Sequence, residues 1–571
     1  MNFAKHHETS QKCLHTKSNQ SKIKEKNLMV KKDENYEAEI INLGSEGQGI
    51  GKLDGLTVFV EGGLIGDILN IKITRAKKKY CIGRINKIVK ASPNRINPAC
   101  KVFSKCGGCN LQNLHYREQL IYKRNKVYDD LTRIGKLDVD VFDTIGMEKP
   151  LHYRNKAQFP VQSDINNNLK IGFYRKRSHD VVDINDCIIQ NKLNKDILEI
   201  IRKFIKDNKI EIYDENTSKG ALRHIVTRFG HNTNEVMVCL VINADTLPHK
   251  EKLVKSLTEK IKNIKSIVLN VNKKDSSVVY GEKIITIYGN DFITDTINEC
   301  KFKISPLSFY QVNSSQTKVL YDKVIEFADF KGDETVIDAF CGIGTISLCV
   351  SKYVKKVYGI EMIKDAIKNA NDNKKINNID NVEFILGTSE DVALNLFNKK
   401  IAPDIFIVDP PRKGCEETLL QTILKMLPEK IIYVSCDPAT LARDLKILCD
   451  GGNYEVKKVQ PVDCFCQTYH VETCVLLSKL KSSESIEVRI DLDEMDITTT
   501  KDNATYDEIK KYVLDNHGLK VSSLYIAQVK GKYNLIERKN YNIGKEETKV
   551  PQVPLEKEKA IEDALKHFHM I

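Results

Sequence analysis

The sequence predicts a multidomain chain in which a small OB-like β-barrel, a central α+β domain and a doubly wound α/β domain follow one another, with a helical extension at the end. Three observations predict this arrangement. The chain has 571 residues, too many for one ordinary hydrophobic core. Short β-runs broken by glycines fill residues 36–90. Strand and helix patterns then alternate from about residue 303 to 480, as they do in a sheet covered by helices on both faces.

The composition indicates a globular protein with a polyanionic partner. Hydrophobic residues make up 41% of the chain and charged residues 29%. Residues 1–27 are polar and basic, and no apolar run is long enough to cross a bilayer, so we expect no secretory signal, no membrane contact and a cytoplasmic location. Lys and Arg total 89 against 77 for Asp and Glu, with clusters at residues 75–79 and 175–177. These clusters suit a polyanionic partner, although a solvated surface explains each of them equally well.

The N-terminal part predicts a tail and a barrel. Residues 1–30 are rich in Lys, Ser, Gln and Asn, a composition typical of a disordered basic tail. Within residues 31–91, strands are predicted over residues 36–43, 56–60, 67–73 and 80–89. Turns and bulges are predicted at Gly44, Gly47, Gly49, Gly51 and Gly55. This segment resembles a TRAM domain, the RNA-binding barrel of several RNA-modifying enzymes.

The central part, residues 92–300, predicts an α+β domain with a cysteine cluster. A helical pattern covers residues 193–208, and β-runs cover residues 236–242 and 266–271. In a cytoplasmic protein, sixteen cysteines are not expected to form a disulfide framework. The closely spaced cysteines predict a soft-metal site, which is either zinc or an iron–sulfur cluster. The candidate ligands are Cys100, Cys106, Cys109 and, from a distant segment, Cys187.

The α/β domain, residues 301–482, opens with a cofactor-binding pattern. The first strand leads into Gly342 and Gly344, and a helix follows. A dinucleotide-binding turn would have a third glycine where this sequence has Ser347. The next strand ends at Glu361, whose carboxylate can accept hydrogen bonds from ribose hydroxyls. A short turn with a ribose acid favours S-adenosylmethionine over NAD.

Two further strand ends and a glutamate predict covalent chemistry on a pyrimidine. Asp409 precedes two prolines that stiffen the turn, and Cys436 follows the next strand. Uracil C5 is a poor nucleophile, but attack of a thiolate on C6 makes an enolate whose C5 can take a methyl group. A base must then remove the C5 proton, and Glu472 is the candidate. Cys466 and Cys474 are weaker candidates for the nucleophile, since neither is followed by a proline turn.

Residues 36–480 resemble the bacterial ribosomal-RNA uracil-5 methyltransferases, which have a class I (Rossmann-like) methyltransferase domain. The resemblance lies in SFYQVN (308–313), DAFCGIGT (338–345), DPPRKG (409–414), SCDPATLAR (435–443) and HVE (470–472). It implies that Cys436 is the nucleophile and Glu472 the base. It also implies that S-adenosylmethionine is bound by Gln311, Phe340, Glu361 and Asp409. Asp437 stands where most members have Asn, a departure that leaves Cys436 unaffected.

The resemblance also bears on the metal and the substrate. The ribosomal-RNA branch carries this cysteine pattern with a 4Fe–4S cluster, whereas the transfer-RNA branch lacks it. The resemblance therefore implies methylation of a specific uridine in 23S ribosomal RNA, with a 4Fe–4S cluster rather than zinc. A structural or RNA-positioning role is expected for the cluster, because methyl transfer needs no electron.

Several alternatives remain open at the level of the sequence. The closest is a transfer-RNA uracil-5 methyltransferase. An amino methyltransferase would also use Asp-Pro-Pro but needs no cysteine, and a cytosine-5 enzyme places its cysteine in another context. A non-catalytic RNA-binding iron–sulfur protein is the non-enzymatic alternative. Residues 483–571 predict a helical pair, over residues 506–517 and 521–529, of unknown role, and the expected oligomeric state is a monomer.

Overall fold

The structure is a computed structural model that describes residues 30–275, 278–480, 504–533, 535, 553–568 and 570–571. The predicted disordered tail therefore lies outside the described residues except for Val30. The chain forms two compact units, Met1–Lys481 and Ser482–Ile571. Among the described residues, no helix is both long enough and apolar enough to cross a membrane.

The N-terminal strands form the predicted closed barrel. They are β1 (Asn35–Leu43), β2 (Gly49–Leu53), β3 (Leu56–Val60), β4 (Ile68–Ala76) and β5 (Tyr80–Lys90), in the spatial order β1-β2-β3-β5-β4. Gly49 and Gly51 lie in β2 and not in a turn, and the pairing of β1 with β2 is irregular between Ile40 and Asn42, opposite Gly51 and Ile50. A Cβ on Gly49 would come within 2.8 Å of the Gly63 carbonyl oxygen, and one on Gly51 within 2.5 Å of the Glu39 carbonyl oxygen. Glycine is required there by close approach of neighbouring backbone.

The central region contains a long helix and a seven-stranded sheet. Its helices are α1 (Tyr116–Asp130), extended by a π-helical turn (Leu131–Gly135), α2 (Leu193–Asp207) and α3 (Lys250–Lys260). The sheet strands are β6 (Lys156–Ser163), β7 (Leu169–Tyr174), β8 (Val181–Asp183), β9 (Leu222–Phe229), β10 (Val236–Ile242), β11 (Ile264–Val271) and β12 (Lys283–Gly289). Their order is β12-β11-β10-β9-β6-β7-β8, and α2 and α3 share one hydrophobic core with the sheet. A separate hairpin follows, β13 (Ile293–Ile297) and β14 (Cys300–Ile304).

The polar residues of β9 do not form the solvated face that their alternation suggests. Arg223, His224 and Arg228 are all buried. The Arg228 Nη2 donates a hydrogen bond to the Pro306 carbonyl oxygen at 3.0 Å. Arg228 therefore joins the central sheet to the segment that follows the hairpin of β13 and β14. The sequence pattern does not predict this contact.

The α/β domain is doubly wound, as predicted. Its strands are β15 (Thr335–Asp338), β16 (Lys356–Glu361), β17 (Val382–Leu386), β18 (Ile405–Val408), β19 (Lys430–Ser435), β20 (Tyr454–Val462) and β21 (Glu472–Lys479). Its helices are α4 (Ser314–Ala328), α5 (Thr345–Val350), α6 (Lys364–Ile376), α7 (Ser389–Asn398), α8 (Glu417–Met426) and α9 (Pro438–Asp450), with a 3₁₀ turn at Ser351–Tyr353.

The strand order of this domain creates a crevice. The order is β17-β16-β15-β18-β19-β21-β20, parallel from β17 to β19, with β21 antiparallel to both of its neighbours. Successive residues of β18 enter different cores, Phe406 on one face of the sheet and Ile405 and Ile407 on the other. The strand order reverses between β15 and β18, and ligands bind at such a point, outside the carboxyl ends of the strands.

The C-terminal unit contains three helices among its described residues, α10 (Tyr506–His517), α11 (Ser523–Lys532) and α12 (Leu555–His567). The second helix begins at Ser523, after the residue 521 expected from the pattern, because the side chain of Ser522 caps it by accepting a hydrogen bond from the Tyr525 backbone N–H. These helices share a hydrophobic core of their own, which includes Ile509, Ile526 and Ile561.

Candidate active site

A cavity of about 700 Å³ opens at the carboxyl edge of the parallel strands. Six side chains that the sequence singles out line it together: Gln311, Phe340, Glu361, Asp409, Cys436 and Glu472. They are spread over residues 311–472, yet each comes from a strand end or from the segment before α4. The cavity is therefore the candidate active site.

The glycine turn after β15 shapes one wall. Gly342 and Gly344 have φ values of +56° and +85°, a region that favours glycine. A Cβ on Gly344 would lie 2.6 Å from Phe384 Cζ, whereas one on Gly342 would meet no protein atom within 4 Å. The backbone N–H of Gly342 donates to Glu361 Oε2 at 3.2 Å, and that of Ile363 donates to Oε1 at 2.8 Å. Glu361 is thus held at the mouth of the turn.

Two carboxyls stand at the ends of the two central strands, the buried Asp338 in β15 and the half-buried Asp409 directly after β18. Burial raises the pKa of Asp338 to about 6, although Ser347 Oγ donates to its Oδ2 at 2.6 Å. Burial, and secondly the nearby Asp338, raise the pKa of Asp409. Carboxyls crowded in an apolar wall are stabilised in their ionised form by a cation, and the sulfonium of S-adenosylmethionine is a cation of that kind.

Antiparallel pairing brings Cys436 and Glu472 together. Ser435, the last residue of β19, pairs with Thr473 of β21. Continuing that register by one residue sets Cys436 opposite Glu472. Asp437 then caps α9 by accepting hydrogen bonds from the backbone N–H groups of Ala439 and Thr440. The thiol therefore lies between a strand end and a capped helix start.

The electrostatics of this pair favour the protonated forms in the free protein. Burial, followed by Glu472 and Asp409, raises the pKa of Cys436 to about 12. Burial and Asp409 likewise raise the pKa of Glu472, while Arg412 lowers it. Within the described part of the chain, Glu472 Oε2 is buried and has no hydrogen-bond partner. A buried acceptor without a partner points to a proton or donor supplied by a substrate.

Gln311 reaches the cavity from the segment before α4, and the central sheet fixes it there. The Asn155 side chain donates to the Gln311 carbonyl oxygen at 2.8 Å, and the Asn155 backbone N–H donates to the Val312 carbonyl oxygen at 2.8 Å. Nearby, Phe309 lines the cavity with 69% of its surface exposed. An exposed aromatic ring at a cavity wall is free to stack on a planar ligand.

Sequence reasoning left several wall residues without a role. Arg412 lies in DPPRKG, and its charge lowers the pKa of both Cys436 and Glu472. Thr388, Ser389 and Glu390 follow β17 and also line the cavity. Their position directly after a parallel strand could have identified them as cavity residues from the sequence. Cys466 and Cys474 are fully buried and do not line the cavity, which agrees with their dismissal as nucleophiles.

The four candidate metal ligands lie in one neighbourhood as free thiols. Burial, with smaller contributions from Cys106 and Cys100, raises the pKa of Cys187 to about 11. Burial, with smaller contributions from Cys187 and Cys106, raises the pKa of Cys109 to about 12. Four thiols that influence one another are a donor set suited to a soft metal or a cluster. Among the described residues, however, no group of three or more His, Cys, Asp or Glu side chains is arranged to hold a metal ion.

Comparison with known proteins gives consistent results. The model of the tRNA (Uracil-5-)-methyltransferase family matches residues 115–480, and that of the TRAM domain matches residues 31–85. A Clostridium tetani protein named "Uncharacterized RNA methyltransferase" is 48% identical over 453 residues, which cover 79% of this chain and 98% of that protein. A similarly named protein of Listeria innocua is 47% identical over 79% of this chain and 99% of its own length.

A solved structure is similar over most of the first unit. It is that of Pyrococcus abyssi tRNA (uracil-54, C5)-methyltransferase in complex with S-adenosyl-L-homocysteine. It shares 30% sequence identity at a TM-score of 0.62, covering 77% of this chain and 99% of that chain. The fold, the cavity and these matches agree that the chain is an S-adenosylmethionine-dependent RNA (uracil-5-)-methyltransferase, and it belongs to the family of those enzymes that carry a TRAM domain.

Proposed function

We propose that the enzyme methylates C5 of a specific uridine in 23S ribosomal RNA, with Cys436 as nucleophile and Glu472 as base. The observation that carries the mechanism is the register that sets Cys436 opposite Glu472 inside a cavity lined by Gln311, Phe340, Glu361 and Asp409. In this proposal those four residues bind S-adenosylmethionine, which supplies the electrophilic methyl group.

The reaction proceeds in two halves. The Cys436 thiol gives its proton to solvent, and its sulfur bonds to uracil C6, leaving an enolate whose C5 takes the methyl group from the sulfonium as S-adenosylhomocysteine leaves. Glu472, in its ionised form, then removes the C5 proton, the C5–C6 double bond reforms, and the C6–S bond breaks to release Cys436. Arg412, the cation that lowers the pKa of Cys436, stabilises the thiolate in both halves.

The choice of ribosomal RNA rests on the cysteine cluster. We propose that Cys100, Cys106, Cys109 and Cys187 hold a 4Fe–4S cluster, with zinc as the alternative. No step of methyl transfer requires an electron, so the role of the cluster would be structural. It would crosslink the segment of residues 100–109 to the segment that contains Cys187. Iron, zinc and acid-labile sulfide analysis of protein purified without air would separate the two: iron and sulfide in equal amounts support the cluster, and zinc alone overturns it.

Transfer RNA is the second candidate substrate. The matching family model is described as a tRNA (Uracil-5-)-methyltransferase, and the similar solved structure is of an enzyme that acts on uracil 54 of tRNA. The test is to incubate the enzyme with tritiated S-adenosylmethionine and either unmodified 23S ribosomal RNA or transfer RNA, followed by nucleoside chromatography.

Label in 5-methyluridine of ribosomal RNA, lost in Cys436→Ala, supports the proposal. Label only with transfer RNA overturns the substrate and keeps the chemistry. Label that survives in Cys436→Ala overturns the nucleophile, and label in another nucleoside overturns the uracil-5 reaction. The proposal further assigns the enzyme to the cytoplasm, where its RNA substrate is made in bacteria, and treats it as a monomer.

A further inference from the structure

The loop of residues 463–471 connects β20 to β21 and delivers two groups to the active site. Phe465 lines the cavity, and Glu472 follows the loop as the first residue of β21. In the ladder between the two strands, Val462 pairs with Glu472. Asp463 is therefore the loop residue next to the pairing partner of the proposed base, so movement of Asp463 would move Glu472.

This loop is anchored by residues far away in the sequence. Most anchors belong to α1 or to the segment that follows the cysteine cluster. Gln119 Nε2 donates to Gln467 Oε1 at 3.1 Å, and the backbone N–H groups of Asn110 and Leu111 donate to the Gln467 carbonyl oxygen at 3.0 and 3.1 Å. The Tyr153 hydroxyl donates to the Cys466 carbonyl oxygen at 2.9 Å.

The strongest anchor is a fully buried ion pair. Lys123 Nζ of α1 lies 2.5 Å from Asp463 Oδ1, and both side chains are 0% exposed. The same ammonium donates to the Phe465 carbonyl oxygen at 3.1 Å, and the Tyr116 hydroxyl donates to Asp463 Oδ2 at 2.8 Å. Burial of two charges costs desolvation that an apolar pair would avoid. A buried pair is thus better explained by the single geometry that it imposes than by the stability that it adds.

We propose that Lys123 is a positioning residue for methyl transfer, which acts through Asp463 to hold the loop of residues 463–471 so that Glu472 faces the C5 proton. This inference rests on the proposed function. Its effect falls on the second half of the reaction. Without a correctly placed base, the C5 proton stays, the C6–S bond does not break, and the methylated adduct on Cys436 persists.

The experiment compares Lys123→Met and Asp463→Asn with the wild-type enzyme on ordinary uridine-containing RNA and S-adenosylmethionine. A denaturing gel measures the covalent protein–RNA adduct, and released 5-methyluridine measures turnover. We expect kcat to fall roughly 10²-fold, since small misplacements of a catalytic group have effects of that order. The adduct should accumulate, as it should in Glu472→Gln, while the KM for RNA stays within about twofold, because no RNA-binding group is removed.

Arg202→Met is the matched control. Arg202 in α2 is also a cation paired with a carboxylate, at 2.5 Å from Asp183, and it does not line the active-site cavity. On ordinary RNA, Arg202→Met should show no more adduct than the wild-type enzyme. Far-ultraviolet circular dichroism establishes that each variant is folded. If Lys123→Met and Asp463→Asn do not fold, the same adduct and turnover measurements are made on Tyr153→Phe, which removes only one hydrogen bond to the same loop.

The outcomes separate this inference from the proposed function. Folded Lys123→Met with no more adduct than wild type overturns the positioning role. RNA that contains 5-fluorouridine tests the chemistry independently, because fluorine at C5 cannot leave as a proton does and the adduct is trapped. No adduct between wild-type enzyme and that RNA would overturn the proposed mechanism. If that adduct forms, but Lys123→Met shows wild-type adduct levels and wild-type turnover on ordinary RNA, only the role of Lys123 is overturned.

Discussion

At the scale of single residues, the active site is defined by carboxyls that burial keeps from ionising easily. Asp409 lies at the cavity wall near the buried Asp338, and both carboxyls have raised pKa values. A thiol with a pKa of about 12 is not ionised at neutral pH, so Cys436 is a protonated, unreactive thiol in the free enzyme. Binding of the cationic methyl donor offsets the negative charge that keeps the proton on sulfur.

The binding of S-adenosylmethionine should therefore depend on pH. The pKa of Asp409 is raised, so this carboxyl is neutral at low pH and ionises as the pH rises through its pKa. Only the ionised form attracts the sulfonium, so affinity should increase with pH, by roughly tenfold for about 1.4 kcal/mol of attraction. Isothermal titration calorimetry between acidic and mildly alkaline pH would measure it. S-adenosylhomocysteine, which has a neutral sulfur, should change less, and an equally flat profile for both ligands would contradict the prediction.

The pH dependence of covalent attack should identify the cation that assists Cys436. Adduct formation with 5-fluorouridine RNA should speed up as pH rises, because the raised pKa leaves little thiolate at neutral pH. Arg412→Met should displace this profile to higher pH, since the charge of Arg412 lowers the pKa of the thiol. Lys413→Met is the control, because Lys413 pairs with Glu416 at 2.5 Å instead. Identical profiles for Arg412→Met and wild type would contradict the role of Arg412.

At the scale of elements, the turn between β15 and α5 depends on glycine for two separate reasons. Gly344→Ala would force a side chain into the left-handed region, at a cost of about 1–2 kcal/mol. It would also bring a Cβ to 2.6 Å from Phe384 Cζ. We expect a lower midpoint in urea unfolding and weaker S-adenosylmethionine binding. Gly452→Ala is the control. Gly452 also has a positive φ, +69°, but a Cβ there would meet no atom within 4 Å, so this variant has the backbone cost without a steric contact. Equal losses in the two variants would show that the contact with Phe384 is unimportant.

At the scale of the whole molecule, we expect the C-terminal unit to be dispensable for catalysis. The family model ends at residue 480, and the Clostridium tetani relative is 98% covered while matching only 79% of this chain. The three described helices also have a core of their own. A chain that ends at Lys481 should fold and methylate its RNA substrate at a rate within about twofold of the full chain, since it keeps every residue of the cavity. Loss of methylation on truncation would show that residues 482–571 contribute to the active form.

The sequence by itself determined the chemistry at each strand end. The glycine turn, Glu361, Asp409 before its prolines and Cys436 before Asp437-Pro438 are local patterns, because a few neighbouring residues dictate a turn and the exposure of a side chain. For the same reason the barrel strands and the alternation of the α/β domain were predictable, apart from β2, whose glycines serve contacts with distant backbone.

Only the tertiary structure decided which of these residues meet. The register of β19 with β21 set Glu472 against Cys436, and folding paired Lys123 with Asp463 across 340 positions. Folding also buried the side chains of Arg223, His224 and Arg228. Such pairings depend on the packing of whole elements against one another, and no short-range pattern encodes them. The proposed chemistry can thus be predicted from the sequence, whereas the placement of the proposed base, Glu472, depends on the fold.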